Sequence, residues 1–244
     1  QGYEYRALRD AAHLLGGERG RALDDEAARL QKRFVAAFWQ DDLGTFAQAV
    51  GFDEHGHGKA MRTIASSPGQ LLGTGILDEL DDVRTKMVAR LFEPDMLAGA
   101  GIRTKSTEAA RFRAGGYHNG TVWPTISLEI ADGLRRTSDV ERARGRTHEA
   151  DDLLRKAEDL ENRAIHACAK FPFFPEFFRG DVDGGIRVNT EKIRDKDRDG
   201  VMNTLEQPPQ PQGWTATALA KVLRRRGFGA LIDAAAEAQR ANPT

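Results

Sequence analysis

The feature that most constrains this chain is the recurrence of apolar residues at helical spacing in segments separated by long, glycine-rich connections. Leu23, Ala27, Leu30, Phe34 and Phe38 fall on one side of a helix, as do Leu80, Val83, Met87 and Leu91, because residues three and four apart share a face. The same spacing predicts a first helix through Tyr5, Leu8, Ala12 and Leu15, and another through Ile126, Ile130 and Leu134 after Pro124. A long charged helix follows through Leu153, Ala157, Leu160 and Ala164, and a last one through Leu219, Val222 and Leu223. Ser66-Ser67-Pro68 reads as a further helix start, with a hydroxyl available as cap and proline in the first turn. Strand signals are scarce, so the expected class is all-α. The connections over 51–65, 98–122 and 171–213 are longer than turns need to be, and loops of that length usually carry function. Helix, long loop and helix in succession predicts an α/α barrel or solenoid whose loops gather at one end.

Composition narrows the partners. With 40% hydrophobic residues the chain has enough apolar material for a core. Its 36 basic residues nearly cancel 37 acidic ones, a net charge of -1, which gives no electrostatic case for nucleic acid or an anionic membrane. No apolar run approaches the roughly 20 residues a membrane-spanning helix needs. The lone Cys168 excludes an internal disulfide. The chain opens at Gln1 inside a helical pattern, without initiator Met or signal peptide, so a fragment is expected.

Two loops have the composition of a site. The stretch 171-FPFFPEFFRG-180 packs five of the chain's 12 phenylalanines around Glu176, and leaving water disfavours a carboxylate's charged form. Either Glu176 points from an aromatic turn into solvent, or it is a tuned acid or base held in a pocket. The stretch 115-GGYHNGTVWP-124 places Tyr117, His118, Asn119 and Trp123 just ahead of a helix. Sugars present apolar C–H faces that stack on aromatic rings, and hydroxyls that pair with amides, carboxylates and imidazoles. The plain alternative is that Asn119-Gly120 is a common turn pair and Trp123 a core residue. A second aromatic and amide cluster, 207-QPPQPQGW-214, sets Gln212 and Trp214 before the last helix.

The order QGYEYRAL at 1–8, SSPGQLLGTGI at 66–76, PDMLAGAGIRT at 94–104, YHNGTVWP at 117–124, FPEFFRG ending at 180 and EQPPQPQGW at 206–214 resembles the C-terminal catalytic domain of glycogen debranching enzymes. These are the amylo-α-1,6-glucosidase-like glycoside hydrolases of the (α/α)6 barrel, the six-hairpin glycosidase toroid. The resemblance implies one domain over 1–244, the C-terminal half to two thirds of such a barrel, its N-terminal part missing and supplied by the rest of the same protein upstream. It implies an inverting hydrolysis of α-linked glucosides with Glu176, the glutamate of the family's P-E-[LF]-F motif, as general base. Tyr117, His118, Asn119, Trp123, Arg103, Gln212 and Trp214 would bind the oligosaccharide or glucoside. No cofactor is required, no nucleic acid or membrane partner is implied, and the expected location is cytoplasmic. The rival reading is a non-catalytic carbohydrate-binding module that keeps the aromatic subsite without chemistry.

Departures from the family pattern bear on the chemistry. Thr125-Ile126 stands where the family continues Trp-Pro with His-Asp, and Gly73 where it commonly has tryptophan; both changes bear on substrate choice. The family's general acid belongs to a W-x-D type motif upstream of the segment matched at Gln1, so the chain by itself is expected to be inactive. Inverting hydrolysis needs two carboxyls, typically about 6.5–9.5 Å apart. Asp53, Asp95, Asp181 and Asp183 are the stand-ins available, none in an aromatic setting that would raise its pKa.

Lastly, Asp195, Asp197, Asp199, Gly200 and Glu206, with Asn203 at the ninth place, match the calcium-loop pattern D-x-[DN]-x-[DN]-G-x5-E. Calcium is a candidate ligand there. Yet Glu206 runs into Gln207-Pro208-Pro209, which cannot continue the helix such a loop requires, and a solvated acidic turn is the alternative. His55 and His57 offer two potential metal ligands but read first as an exposed loop, and Arg224 to Arg226 read as a helix C-terminus.

Overall fold

The computed structural model describes residues 1–188, 193–196, 202–205 and 212–241, the two short segments 193–196 and 202–205 by backbone alone. The described residues are mostly helical. The helices are α1 (Gly2–Leu15), α2 (Gly17–Phe38), α3 (Asp81–Leu91), α4 (Pro124–Ala143), α5 (Thr147–Cys168), α6 (Gly213–Leu223) and α7 (Gly229–Ala241). Every helix expected from apolar spacing is present. At Ser66 the structure differs: the segment Ser67–Gly73 is a 3-10 helix, and the Ser66 side chain makes no capping bond. The reason lies in Ser66's αR backbone, φ −76° and ψ −21°; a capping residue ordinarily takes the extended conformation that turns its side chain toward the first free N–H groups.

The helices pair as antiparallel neighbours. Between α1 and α2 the chain reverses through Gly16 and Gly17, both at positive φ, where a β-carbon would be strained. Helices α4 and α5 pack along their length around Ile130, Leu134, Leu153, Ala157 and Leu160. That cluster continues through Phe34, Leu72, Met87 and Leu91 and forms the larger core. A smaller core joins α5 and α6 through Ala164, Cys168, Leu219 and Val222 to Val122 and Phe178. Burial pushes the Cys168 thiol up to about 12, as expected for a thiolate denied water.

Two buried carboxylates tie the helix ends. Glu141, fully buried on α4, meets Arg84, Arg144 and Arg146. Glu161, fully buried on α5, meets Arg135, Arg225 and Arg226. The arginine run stands at the C-terminus of α6, as its sequence suggests, with Arg224 as the capping residue. Helix α6 ends at Leu223 and the arginines form a π-turn, Arg224–Phe228, in which Arg225 and Arg226 add to the pairing of Glu161 by Arg135.

The long connections are not structureless. They contain short antiparallel pairs: β1 (Trp39–Gln40) with β2 (Thr45–Phe46), β3 (Val50–Phe52) with β4 (Gly58–Ala60), β5 (Leu97–Ala98) with β6 (Gly101–Ile102), and β7 (Ile193–Lys196) with β8 (Met202–Leu205). Single bridges then join segments far apart in sequence: Ala65 to Lys105, Arg103 to Val122, and Val122 to Phe178. This backbone ladder, rather than any one helix, carries the residues of the candidate site. Among the described residues no helix is long and apolar enough to cross a membrane.

Candidate active site

The ladder brings the two site-like loops side by side. Val122 and Phe178 exchange both backbone hydrogen bonds, at 2.9 and 2.8 Å, and Thr104 N–H donates to Thr121 O at 2.8 Å. Gly180 N–H donates to Ala114 O at 2.8 Å. At the other end of the 171–180 segment, Thr215 of α6 donates its hydroxyl to Pro175 O at 2.9 Å, and Gln212 N–H donates to Phe174 O. Glu176 is thus anchored on both sides by bonds that do not involve its own side chain.

The phenylalanines around Glu176 divide by depth. Phe177 and Phe178 are buried, while Phe174 remains substantially exposed. Phe177 belongs to an aromatic cluster: it stacks on Trp123 at 5.6 Å between centroids, and Tyr117 meets both edge-on at 5.4 and 4.9 Å. His118 stacks on Trp123 at 5.4 Å and 14°. Trp123 Nε1–H donates to Tyr117 O and Thr121 Oγ1 at 3.1 and 3.0 Å, which fixes the indole plane and satisfies its polar tip.

Glu176 itself is 7% exposed. Tyr117 Oη–H donates to its Oε1 at 3.3 Å. Burial, and after it the negative charge and hydrogen bonding of Glu176, raise the Tyr117 hydroxyl above its ordinary pKa, so the phenol keeps its proton as donor. Tyr117 lines a cavity of about 500 Å³ together with His118, Trp123, Thr125, Trp214 and Glu129 among others, while Glu176 is reached through Tyr117 and is not among the lining residues. The cavity's size fits an organic ligand. The N-terminus of α4 opens onto it at Thr125 and Ile126.

The other expected residues are placed as follows. Trp214 lines the cavity at the start of α6, 64% exposed. Gln212 caps α6, its Oε1 accepting from Trp214 N–H at 3.4 Å. Asn119 faces away to Lys105, whose Nζ donates to its Oδ1 at 2.5 Å. Arg103 has a structural position rather than a ligand-facing one. It is buried, and its guanidinium donates to the carbonyls of Gly180, Pro94, Leu97 and Asp181 at 2.8 to 3.0 Å. It pins the segment after Glu176 to β5. Asp197, Asp199 and Glu206 lie outside the described residues; Asp195 stands in β7 opposite Asn203 of β8. Groups of three or more potential metal ligands are absent among the described residues.

The four stand-in aspartates are all held as acceptors. Asp53 sits in an exposed turn, kept below the carboxylate range by the backbone N–H groups of His57 and His55. Burial would raise Asp95, but hydrogen bonds from Arg90 and Ser106 outweigh it. Asp183 is held down to about 2 by Arg187 and the Gly185 N–H, and Asp181 pairs with Arg179 and Arg187. Asp53, Asp95 and Asp183, all held below the carboxylate range, are poorly suited to donate a proton near neutral pH.

Sequence reasoning missed Gln70 and Glu129. Gln70 Nε2–H donates to Glu129 Oε2 at 2.7 Å on the cavity wall. Glu129 follows Thr125 by one helical turn, which was the available signal, but an exposed glutamate on an amphipathic helix reads as solvated surface.

Comparison with known proteins agrees in class. The sequence profile of the mannosylglycerate hydrolase MGH1-like glycoside hydrolase domain matches residues 3–170, and so stops short of Glu176. Among solved structures, a GH63 mannosylglycerate hydrolase from Thermus thermophilus in complex with glucose superposes with TM-score 0.53 at 16% identity, over 92% of this chain and 44% of that one. An uncharacterized conserved protein from the same organism gives TM-score 0.53 at 16% identity, over 89% and 46%. A sialidase gives 0.54 at 13%, over 73% and 16%. At these identities the likeness is one of fold, and the chain spans less than half the length of these structures. No curated protein gives a significant sequence match. A glycoside hydrolase domain is what these findings support; the debranching-type assignment suggested by the motif order is narrower than they show.

Proposed function

The chain belongs to the mannosylglycerate hydrolase MGH1-like glycoside hydrolase domain family, and on that premise we propose that it supplies the general-base side of an inverting glycoside hydrolase site, with Glu176 as the base. The observation that carries this is the buried Glu176 carboxylate, which accepts through Oε1 from Tyr117, a residue that lines an aromatic-walled cavity. With Oε1 engaged, Oε2 is the oxygen available to take a proton from water attacking the anomeric carbon. The exposed ring of Trp214, with Tyr117, would stack against the sugar's apolar face, and the buried Trp123 would back Tyr117 and His118 from beneath.

The opposing acid, which protonates the leaving oxygen, belongs in this reading to the remainder of an (α/α)6 barrel beyond this sequence, because the four stand-in aspartates are tied up as acceptors and none lines the cavity. The substrate is then an α-linked glycoside, with the α-1,6-glucosides suggested by the motif order as the first to try and mannosylglycerate, from the family's name, as the comparison. Glu176→Gln in the full-length protein tests the assignment. General-base removal is worth about 10²–10⁴-fold in turnover, with sugar binding retained. A variant that hydrolyses at near-normal rate would exclude Glu176 as base; a wild-type protein that binds sugar without turnover would favour the binding module.

A further inference from the structure

The close approach of the 3-10 segment Ser67–Gly73 to α4 builds a polar pair that the hydrolytic reading does not use. A β-carbon at Gly69 would meet the Ile130 side chain at 2.7 Å, and one at Gly133 would meet Leu72 at 2.8 Å and the Gly73 nitrogen at 2.9 Å. Two glycines, one on each element, therefore let the backbones touch. That contact sets Gln70 against Glu129 and fixes one carboxylate oxygen through the 2.7 Å bond. The pair stands between two spaces. On one side is the aromatic cavity; on the other is a second cavity of about 360 Å³, reached past Tyr3, Gly73 and Arg136. Space lies open at Gly73, where a β-carbon would meet nothing within 4 Å.

Charge defines what such a place accepts. Glu129 takes part in no ion pair among the described residues. Among the described residues Arg136 is the one arginine or lysine lining either cavity, and both its terminal nitrogens are held by Asp78. Asp132 beside it is answered by Lys221 and Arg225. His118, across the aromatic cavity, is stacked on Trp123. The pair itself is acceptor-rich, with one carboxylate oxygen of Glu129 and the amide oxygen of Gln70, and the hydroxyls of Ser67 and Thr125 lie on the same cavity wall. Hydroxyl groups are the donors that match it, and an anion does not.

We propose that Gln70 and Glu129 form a second subsite that receives an uncharged, hydroxyl-rich unit of the substrate, a second sugar or a polyol, and that disfavours a carboxylate-bearing group. The proposal rests on the glycoside-hydrolase reading and adds the class of the group beyond the first sugar. Hydrogen bonds to a charged acceptor are about twice as strong as neutral ones, so Glu129→Gln should weaken binding of a neutral disaccharide by roughly tenfold, and by more than it weakens binding of glucose. It should also improve binding of a glycerate-bearing glycoside relative to the neutral one.

The test is calorimetric titration of the full-length protein and its Glu129→Gln and Gln70→Ala variants. Glucose, maltose, isomaltose and mannosylglycerate are the probes, with thermal melting as the check on folding. Tighter binding of a disaccharide than of glucose, lost in both variants, establishes the subsite. Disaccharide binding equal to that of glucose and untouched by either substitution overturns it while leaving the sugar site standing. Tighter wild-type binding of mannosylglycerate than of either disaccharide also overturns it. Failure of the wild-type protein to bind any of the four sugars overturns both this subsite and the glycoside reading beneath it.

Discussion

Replacing Gly180 with alanine tests the frame of the site at its tightest point. The added β-carbon would overlap the Gly120 carbonyl oxygen outright and approach Arg103 Cγ at 3.2 Å. Gly180 does not occupy the left-handed region, so the penalty is steric alone. Backbone must part from backbone by about 1 Å, since a carbonyl has no rotamer to change. The displacement acts where Gly180 N–H meets Ala114 O, where Val122 pairs with Phe178, and where Arg103 Nε–H donates to Gly180 O. Overpacking costs about 1–3 kcal/mol, and straining one of these buried hydrogen bonds adds about 1 kcal/mol, so a loss of about 3 kcal/mol is expected. For a chain of this size that lowers Tm by about 6–12 °C. The assay is urea unfolding beside thermal melting, with Gly213→Ala as control: its β-carbon would meet nothing within 4 Å in the first turn of α6, and alanine there should be neutral or slightly stabilising. A Gly180→Ala protein within about 0.5 kcal/mol of wild type, with the control behaving as stated, would refute the claim that this contact frames the site.

Other expectations follow from single residues. Arg103→Met leaves four carbonyls without this donor, and a buried acceptor left unsatisfied costs about 1–3 kcal/mol; a loss below about 1 kcal/mol in urea unfolding would show that the cost of burying the guanidinium cancels its bonds. Burial pushes Glu161 up, but hydrogen bonds from Arg135 and Arg226 and the charge of Arg225 hold it below the usual glutamate range. A depressed carboxylate contributes stability above its unfolded pKa of about 4.3, and that stability is lost as pH falls through the folded value. Glu161→Gln should therefore flatten the fall in unfolding free energy between about pH 5 and pH 3; an unchanged slope would count against the assignment. Calcium titration separates the readings of the acidic run: heat that disappears in Asp195→Asn assigns the ion, and no heat leaves a solvated turn.

The helices were legible because burying a stripe of Leu, Ile and Ala leaves its period in the sequence, as at Leu153, Ala157 and Leu160. Tyr117, Trp123 and Trp214 were legible as cavity residues because large aromatic rings beside turn residues have few other places to go. Arg103 was not. A buried arginine bonded only to carbonyls has no partner side chain in the sequence to betray it. The single-bridge ladder was equally hidden, since one residue per contact leaves no alternation to read. Gln70 and Glu129 were overlooked because polar residues on a helix surface look alike whether they face water or a ligand.

The ladder also has a consequence for the order in which the molecule assembles. Antiparallel helix pairs such as α1 with α2 and α4 with α5 close over short connections, whereas the bridges from Ala65 to Lys105 and from Val122 to Phe178 join residues 40 and 56 positions apart (105 − 65 and 178 − 122). Contacts between distant residues bear their loop-closure entropy before any reward. The helical scaffold would therefore form first and the floor beneath Tyr117 and Glu176 last. Pulse-labelled hydrogen exchange reads this directly: protection of the Val122 and Phe178 amides should trail that of α4 and α5, and simultaneous protection would contradict it. A chain built this way completes its candidate site at the final step of folding, when the scaffold is already in place to hold it.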